Sequence, residues 1–401
     1  MVTFLYINVK TAALLALLGA GAAGLALAAE AVGLPGARTA AAVGAAVTLG
    51  GERVDGRLAG AGAAITFESS KGAVPLPDIA GITYGAWRGQ APLVAGIIAA
   101  DGTILRGAVR VEKSGDVAVA SARLGELKTP ISKVAEVHFE CRGAFPKDAG
   151  PGILLKNGDF VSSEALEIAA TAVRSKSALG NIEVPVERVA AVRLIRRSRG
   201  ADALPAPEAV LVLDNGDALV GRLAAAAVDA MKFSTAFGEV TVPLAFVREV
   251  DFPARMAYVS DLEAAVSTRG FAPEGATYFL ADRSPDGALR SSGVVYRKGL
   301  FTRAGTAVVV RLPRGADTLV FTPGIADGAD PPQGRFAVEA AAREIWSAAI
   351  DEGSTPGPVA LKVAGMDSVT LFYASKPEGL IGSAGVWGDA FVTVRGAGES
   401  R

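Results

Sequence analysis

Four prolines set the frame of this chain. Pro75, Pro130, Pro185 and Pro243 stand 55, 55 and 58 residues apart. Each is followed four residues later by an aliphatic side chain: Ile79, Val134, Val189 or Val247. Self-similarity at a near-fixed period limits the fold more than any single motif, because each unit must be one small supersecondary structure. The clearest unit opens with Val210-Leu211-Val212-Leu213-Asp214-Asn215-Gly216-Asp217. It closes with Phe237-Gly238-Glu239-Val240-Thr241-Val242-Pro243, then Val247 and Val250. The unit before it has Asn157-Gly158-Asp159 and Leu179-Gly180-Asn181-Ile182-Glu183-Val184-Pro185. Before that come Asp101-Gly102 and Leu124-Gly125-Glu126-Leu127-Lys128-Thr129-Pro130. The most worn unit keeps Lys71-Gly72-Ala73-Val74-Pro75, Ile79 and Ile82. Asn-Gly-Asp and Asp-Gly are hairpin turns, since Asn, Asp and Gly tolerate positive φ. Val240-Thr241-Val242 alternates with period two, as a half-buried strand does. Proline at a strand end loses no ladder bond. The pattern predicts four all-β units of four or five short strands, three over residues 46–200 and a fourth over 209–253.

The strand order, with a short turn before the last strand, resembles small SH3-like or Sm-like barrels. It is also similar to the Asn-Gly-Asp repeat regions that precede carbohydrate-binding modules in some bacterial exported proteins. Ahead of the repeats, residues 1–10 carry one positive charge and residues 11–28 carry none. The apolar stretch ends in Ala26-Leu27-Ala28 before Ala29-Glu30, the small-residue pattern of a cleaved signal peptide. Its competitor is a retained anchor, but so much Ala and Gly makes a weak span. Residues 29–45 read as a flexible Ala/Gly linker. Arg193, Arg196, Arg197 and Arg199 lead into a Pro-containing connection that ends near Pro207. They read as a solvated strand end and linker, with a patch for an acidic polymer as the competing reading.

Composition removes several function classes. Lys+Arg is 40 and Asp+Glu is 41, so no global field attracts nucleic acid or an anionic membrane. A single cysteine, Cys141, excludes an intrachain disulfide. The single histidine, His138, excludes a multi-histidine zinc site and leaves any catalytic triad only one base. A Cys141–His138 nucleophile pair is disfavoured, because residues three apart on a strand face opposite ways. No phosphate-binding loop, dinucleotide fingerprint or calcium loop is present. Asp327 to Asp330 read as a turn rather than a calcium site. No cofactor and no metal are expected.

From Met256 the chain changes character. It shows Tyr258-Val259-Ser260-Asp261-Leu262, Asp282-Arg283-Ser284 and Tyr296-Arg297-Lys298-Gly299-Leu300. Gly324-Ile325-Ala326-Asp327 and Trp387-Gly388-Asp389-Ala390 follow. These five landmarks in this order resemble the NPCBM family, the novel putative carbohydrate binding module, over residues 256–396. The resemblance implies a galactose-binding-like jelly-roll β-sandwich over residues 254–401. Short apolar runs such as Thr318-Leu319-Val320-Phe321, separated by Gly/Pro/Asp turns, agree with strands. A helix could be read over 337–349, but the resemblance argues for strands there. The family usually carries a Gly-x-His segment after Lys-Gly-Leu; here stand Phe301-Thr302-Arg303-Ala304.

The resemblance implies Asp282, Lys298, Arg303, Trp387 and Asp389 as candidate carbohydrate contacts, each weighed against a purely structural role. For Trp387 the structural role, bracing the last strand, is preferred, leaving contact to Lys298 and Arg303. The expected whole is all-β and non-catalytic: an exported carbohydrate-binding or cell-surface protein with the repeats as spacer. Its partner is a glycan or polysaccharide, with no nucleic acid and no membrane after signal cleavage. The alternative is a protein-interaction scaffold whose module has lost sugar binding. Export gives the first test: the mature protein should begin near Ala29. Mass spectrometry of the exported protein that finds Met1 still in place would contradict the cleavage reading.

Overall fold

The computed structural model describes residues 43–89, 92–146, 149–177, 180–195, 208–269, 278–330, 332–354, 356–376 and 383–395. The proposed signal peptide, most of the linker before residue 46, and Arg196, Arg197 and Arg199 lie outside them. The linker's last two residues, Gly44 and Ala45, belong instead to the first strand, Gly44–Thr48. Ala45 and Ala46 are buried there and pair with Asp55 and Val54 across the hairpin. No helix among the described residues is long and apolar enough to cross a membrane.

The fourth unit shows how the local code works. Its strands are Ala209–Leu213, Ala218–Ala226, Ala230–Thr235, Gly238–Pro243 and Val247–Asp251. Asn215 and Asp217 close the first hairpin: Asn215 accepts the Asp217 backbone N–H at 3.0 Å while Gly216 takes φ 83°. Pro243 ends the fourth strand with φ −59°, and the 3₁₀ turn Leu244–Phe246 follows. Pro75, Pro130 and Pro185 each sit at the same junction, before Leu76–Asp78, Ile131–Lys133 and Val186–Arg188. Proline's fixed φ suits that exit from the strand, and its missing N–H is not needed there.

The last strand of each unit carries two aliphatic residues three apart, which flat alternation would send to opposite faces. Both are nevertheless buried in all four units: Ile79 and Ile82, Val134 and Val137, Val189 and Val192, Val247 and Val250. A register shift beside each pair, for instance between Val134 and Glu136, turns both side chains inward. That is the work of a β-bulge, which adds a residue and re-aims its neighbours.

These last strands also join the units. Val137 faces Val192 across an antiparallel ladder, and Val250 faces Ile82 across another. The second unit is thereby paired with the third, and the fourth with the first, in the same register. The two pairs touch through one ladder position, Ala218 opposite Ile104, and through side chains. Asp217 is fully buried at that joint. It accepts the Arg106 backbone N–H at 2.6 Å, the Ser121 hydroxyl at 2.9 Å and the Asn215 amide at 2.9 Å. Arg123 binds Asp214 through two bonds of 2.8 and 3.0 Å. One apolar core runs through all four units.

Residues from Met256 onward form a β-sandwich. One sheet contains Phe279–Ala281, Gly299–Arg303, Ala384–Val394, Ala316–Ile325 and Val359–Lys362, with Met256–Tyr258 on its flank. The facing sheet contains Ala264–Thr268, Thr306–Arg311, Ser368–Ser375, Gln333–Ala340 and Arg343–Asp351. The stretch 337–349 is a hairpin, not a helix. Ala341 and Ala342 turn it with φ 47° and 61°, the double left-handed turn that fits twisted strands.

Trp387 is completely buried between the sheets, against Phe321 at 5.2 Å and Phe336 at 5.1 Å between ring centroids. Its indole N–H donates to Thr302 Oγ1 at 3.2 Å. No face is open to a sugar, so Trp387 leaves the set of candidate contacts and braces the core. Trp387→Ala should therefore cost roughly 3–5 kcal/mol in chemical denaturation, as buried aromatics do; a loss near zero would contradict that packing. Gly238, at φ 104° with open space around it, tests the repeat turns. Gly238→Val should cost more than about 1 kcal/mol through the backbone alone, and Gly238→Asn less. An unchanged denaturation midpoint for the valine variant would remove the turn's role.

Candidate functional site

A cleft of about 450 Å³ opens on the outer side of the sheet that contains Gly299–Arg303. Its apolar floor is Tyr278, Phe301, Ala326 and Ala384, set over the buried Leu289 and Val386. Tyr278 and Phe301 stack with centroids 6.2 Å apart and planes 29° from parallel. The polar groups come from three places. Arg303 projects from the end of its strand. Arg290 stands on the hairpin strand Leu289–Ser291, and Asp327 follows the strand end at Ile325. Asp286 sits on a Ser-Pro-Asp-Gly turn held by Ser284 and Gly287, with Gly287 at φ 117°. Such residues are the usual means of reversing a chain.

Arg303 is half-buried with its guanidinium 6.0 Å from the centre of the Tyr278 ring. Its Nε is enclosed and has no hydrogen-bond partner. A buried donor left unpaired costs free energy that a ligand acceptor recovers. Asp327 holds the hairpin in place by accepting the Gly293 backbone N–H at 3.2 and 3.3 Å. An apolar aromatic floor ringed by guanidinium and carboxylate groups can bind a polyol, whose C–H face packs on carbon while its hydroxyls bond to charged groups.

The other sequence candidates lie elsewhere. Lys298 is enclosed by Asp261 at 2.7 Å and Asp282 at 2.9 Å. Asp282 also accepts the Gly299 N–H at 3.0 Å and turns the chain with φ 59°. Both hold a loop, and neither lines the cleft. Asp389, exposed and further along the strand that brings Ala384 to the cleft, lines a separate small pocket with Arg53 and Thr83 of the first unit. Of the five, the structure puts only Arg303 in the cleft. Nothing in the sequence singles out Tyr278, Asp286, Arg290 or Phe301 as contacts. Asp327 ends the Gly324–Asp327 landmark, but nothing in that motif says which way it points.

The sandwich packs on the first and fourth units along a seam. Arg297 crosses it, donating from Nε to Glu249 Oε2 at 2.5 Å and from Nη2 to Asp251 Oδ2 at 2.6 Å. It also donates to the Tyr258 hydroxyl at 2.9 Å, which itself donates to Asp251 Oδ1 at 2.9 Å. The second and third units explain why an outside arginine is needed. There Glu136, at the same place as Glu249, lies across the ladder from Arg193 and binds it at 3.1 Å. Glu249 lies across from Thr83, which offers no charge, and Arg297 takes that role. Burial pushes the Glu249 carboxyl above its usual range against the pull of Arg297. Asp389 is pushed up to about 7, by desolvation first and then by Glu249, against Arg297. Asp251 adds to the rise, and Arg53 works against it.

No catalytic pairing emerges around the single histidine. His138 Nε2 meets Glu136 Oε2 at 3.0 Å, and the Cys141 thiol donates to the Gly143 carbonyl instead. Burial pushes the Cys141 thiol up, away from the reactive thiolate.

No curated protein sequence matches the chain. Among solved structures, it is similar to a CBM51 from Clostridium perfringens GH95 in complex with methyl-galactose. That match has 24% identity and covers 34% of this chain and 99% of the other, with a TM-score of 0.30. A tandem of CBM51 modules from the Streptococcus pneumoniae family 98 glycoside hydrolase matches at 12% identity. It covers 75% of this chain and 88% of the other, with a TM-score of 0.31. The all-β fold itself rests on the strand order given above. Residues 255–393, the whole of the described sandwich but its margins, match the NPCBM/NEW2 domain family.

Proposed function

We propose that the sandwich binds a glycan in the Tyr278–Arg303 cleft and that the chain is an exported, non-catalytic carbohydrate-binding protein. The observation that carries this is the enclosed, unpartnered Nε of Arg303 beside an aromatic floor, on a domain of a carbohydrate-binding family. Arg303 and Arg290 take sugar hydroxyls from two sides, and Asp286 and Asp327 accept from them. Affinity is expected to be weak, because each sugar hydroxyl exchanges water bonds for protein bonds of similar strength. The repeats act as the rigid carrier of the module, and the apolar stretch ahead of them directs export.

The test is calorimetric titration of the full chain with glycans that score on an array. Arg303→Ala should weaken binding at least about tenfold, since a bond to a charged group contributes about 1.5–3 kcal/mol. Its melting temperature should stay close to the parent's. Equal affinity in the folded variant would move the site elsewhere. A folded parent that ignores every glycan would favour the protein-scaffold reading.

A further inference from the structure

Trp346 and Trp387 both pack on Phe321 in the sandwich, with ring centroids 5.1 and 5.2 Å away. Trp87 is placed differently. It stands on the segment that follows the strand Ile79–Thr83 of the first unit. Among the described residues it joins neither the core of the repeats nor that of the sandwich. Among the same residues its indole makes no hydrogen bond and no ring contact. A half-buried tryptophan outside every core presents a large, rigid, apolar face with a polar N–H at its edge.

The backbone register aims that face. Arg290 lies across the ladder from Val295, in the hairpin of strands Leu289–Ser291 and Val294–Tyr296. Trp87 forms an isolated antiparallel bridge with Val295. Residues directly opposite one another on antiparallel strands carry their side chains on the same face. Arg290, Val295 and Trp87 therefore make one row across three chain segments. Their neighbour Leu289 points the other way and is buried beneath the cleft floor. Exposure agrees with the row: Arg290 is exposed, and Val295 and Trp87 are half-buried. Arg290 also lines the cleft, so the row begins where the cleft ends. Two strand spacings, about 10 Å, separate the Arg290 and Trp87 backbones.

We propose that the glycan site extends along this row from the cleft to Trp87, so that the sandwich and the first repeat unit together bind a chain of several sugars. The inference rests on the cleft reading above. One ring lies over Tyr278 and Phe301, within reach of Arg303 and Arg290. A later ring of the same chain lays its apolar C–H face on the Trp87 indole, whose N–H donates to a hydroxyl. Val295 gives apolar contact between them. One sugar ring does not bridge the row, and an oligosaccharide does, so the ligand class is a polysaccharide chain rather than a single terminal sugar. The two halves of the site are held in place beforehand. Arg297, directly after Tyr296, binds Glu249 and Asp251 of the fourth unit, so the row needs little ordering when the ligand arrives. The repeats then take part in binding besides carrying the module.

The experiment titrates the full chain with a mono-, di-, tetra- and hexasaccharide series built on the sugar that scores on an array. Affinity should rise about five- to tenfold from the shortest to the longest member, the gain of one aromatic stacking contact. Trp87→Ala should erase that rise, and Trp87→Phe should keep most of it. A bridge that only braces the hairpin gives a different split, since its loss weakens short and long members by the same factor. Acrylamide quenching of the parent's tryptophan emission is the second measurement and needs no variant. Long members should shield the emission more than short ones do. Affinity and shielding that do not depend on length, or a folded Trp87→Ala variant that keeps the rise, would overturn the extended site and leave the cleft reading standing. A folded parent that binds no member of the series would remove both.

Discussion

The structure depends on the bulged last strand of each repeat unit. A bulge lets two aliphatic residues three apart, such as Val134 and Val137, enter the same core. The same strand then presents its outward groups to a neighbour in antiparallel register. Because Val137 meets Val192 and Val250 meets Ile82, one local device closes each small unit and also joins it to a second. Burying those eight aliphatic side chains contributes about 1.5–3 kcal/mol apiece before the entropy of ordering the chain is subtracted.

That register decides where charge is placed. The outward positions of the paired strands hold Glu136 and Arg193 in one pair, and Glu249 and Asp251 opposite Thr83 and Gly81 in the other. The first arrangement satisfies itself. The second leaves two carboxylates without a cation, and the sandwich supplies Arg297. A buried ion pair is costly to assemble but more costly to break, since removing one partner strands the other. The seam also holds Thr393 to the Leu49 carbonyl at 2.9 Å and Arg255 to the Leu76 carbonyl at 2.6 Å. Although residues 254–401 are enough to bury a core of their own, in this chain the sandwich leans on the first and fourth units.

How much of this the sequence disclosed follows from physical range. Turn chemistry and strand ends are local, so Gly216, Gly238 and the four prolines announce themselves. Trp387 is preferred as a brace in the sequence, and its complete burial between Phe321 and Phe336 agrees. The bulges were not legible, and period-two reasoning alone would have placed half of the paired aliphatics outside. The cleft was legible only at Arg303, where residues 301–304 depart from the segment expected from the resemblance. Tyr278 and Arg290 are ordinary surface residues until the hairpin Leu289–Tyr296 folds over the sheet. In the sequence Lys298, Asp282 and Asp389 look like contacts, because polar residues in a landmark motif look alike whether they bind a ligand or a loop. The seam depends on residues 48 apart, Glu249 and Arg297, and no local pattern reports on that meeting.

The claim at the centre of this account is that the sandwich holds a glycan between Tyr278, Arg290 and Arg303. It is tested most directly by hydrogen-exchange footprinting of the full chain with and without a saturating array-selected glycan. Protection should concentrate on residues 284–303 and 324–329, with the repeat turns at Gly158 and Gly238 unchanged. Protection confined to the repeats, or none anywhere at saturation, would contradict it.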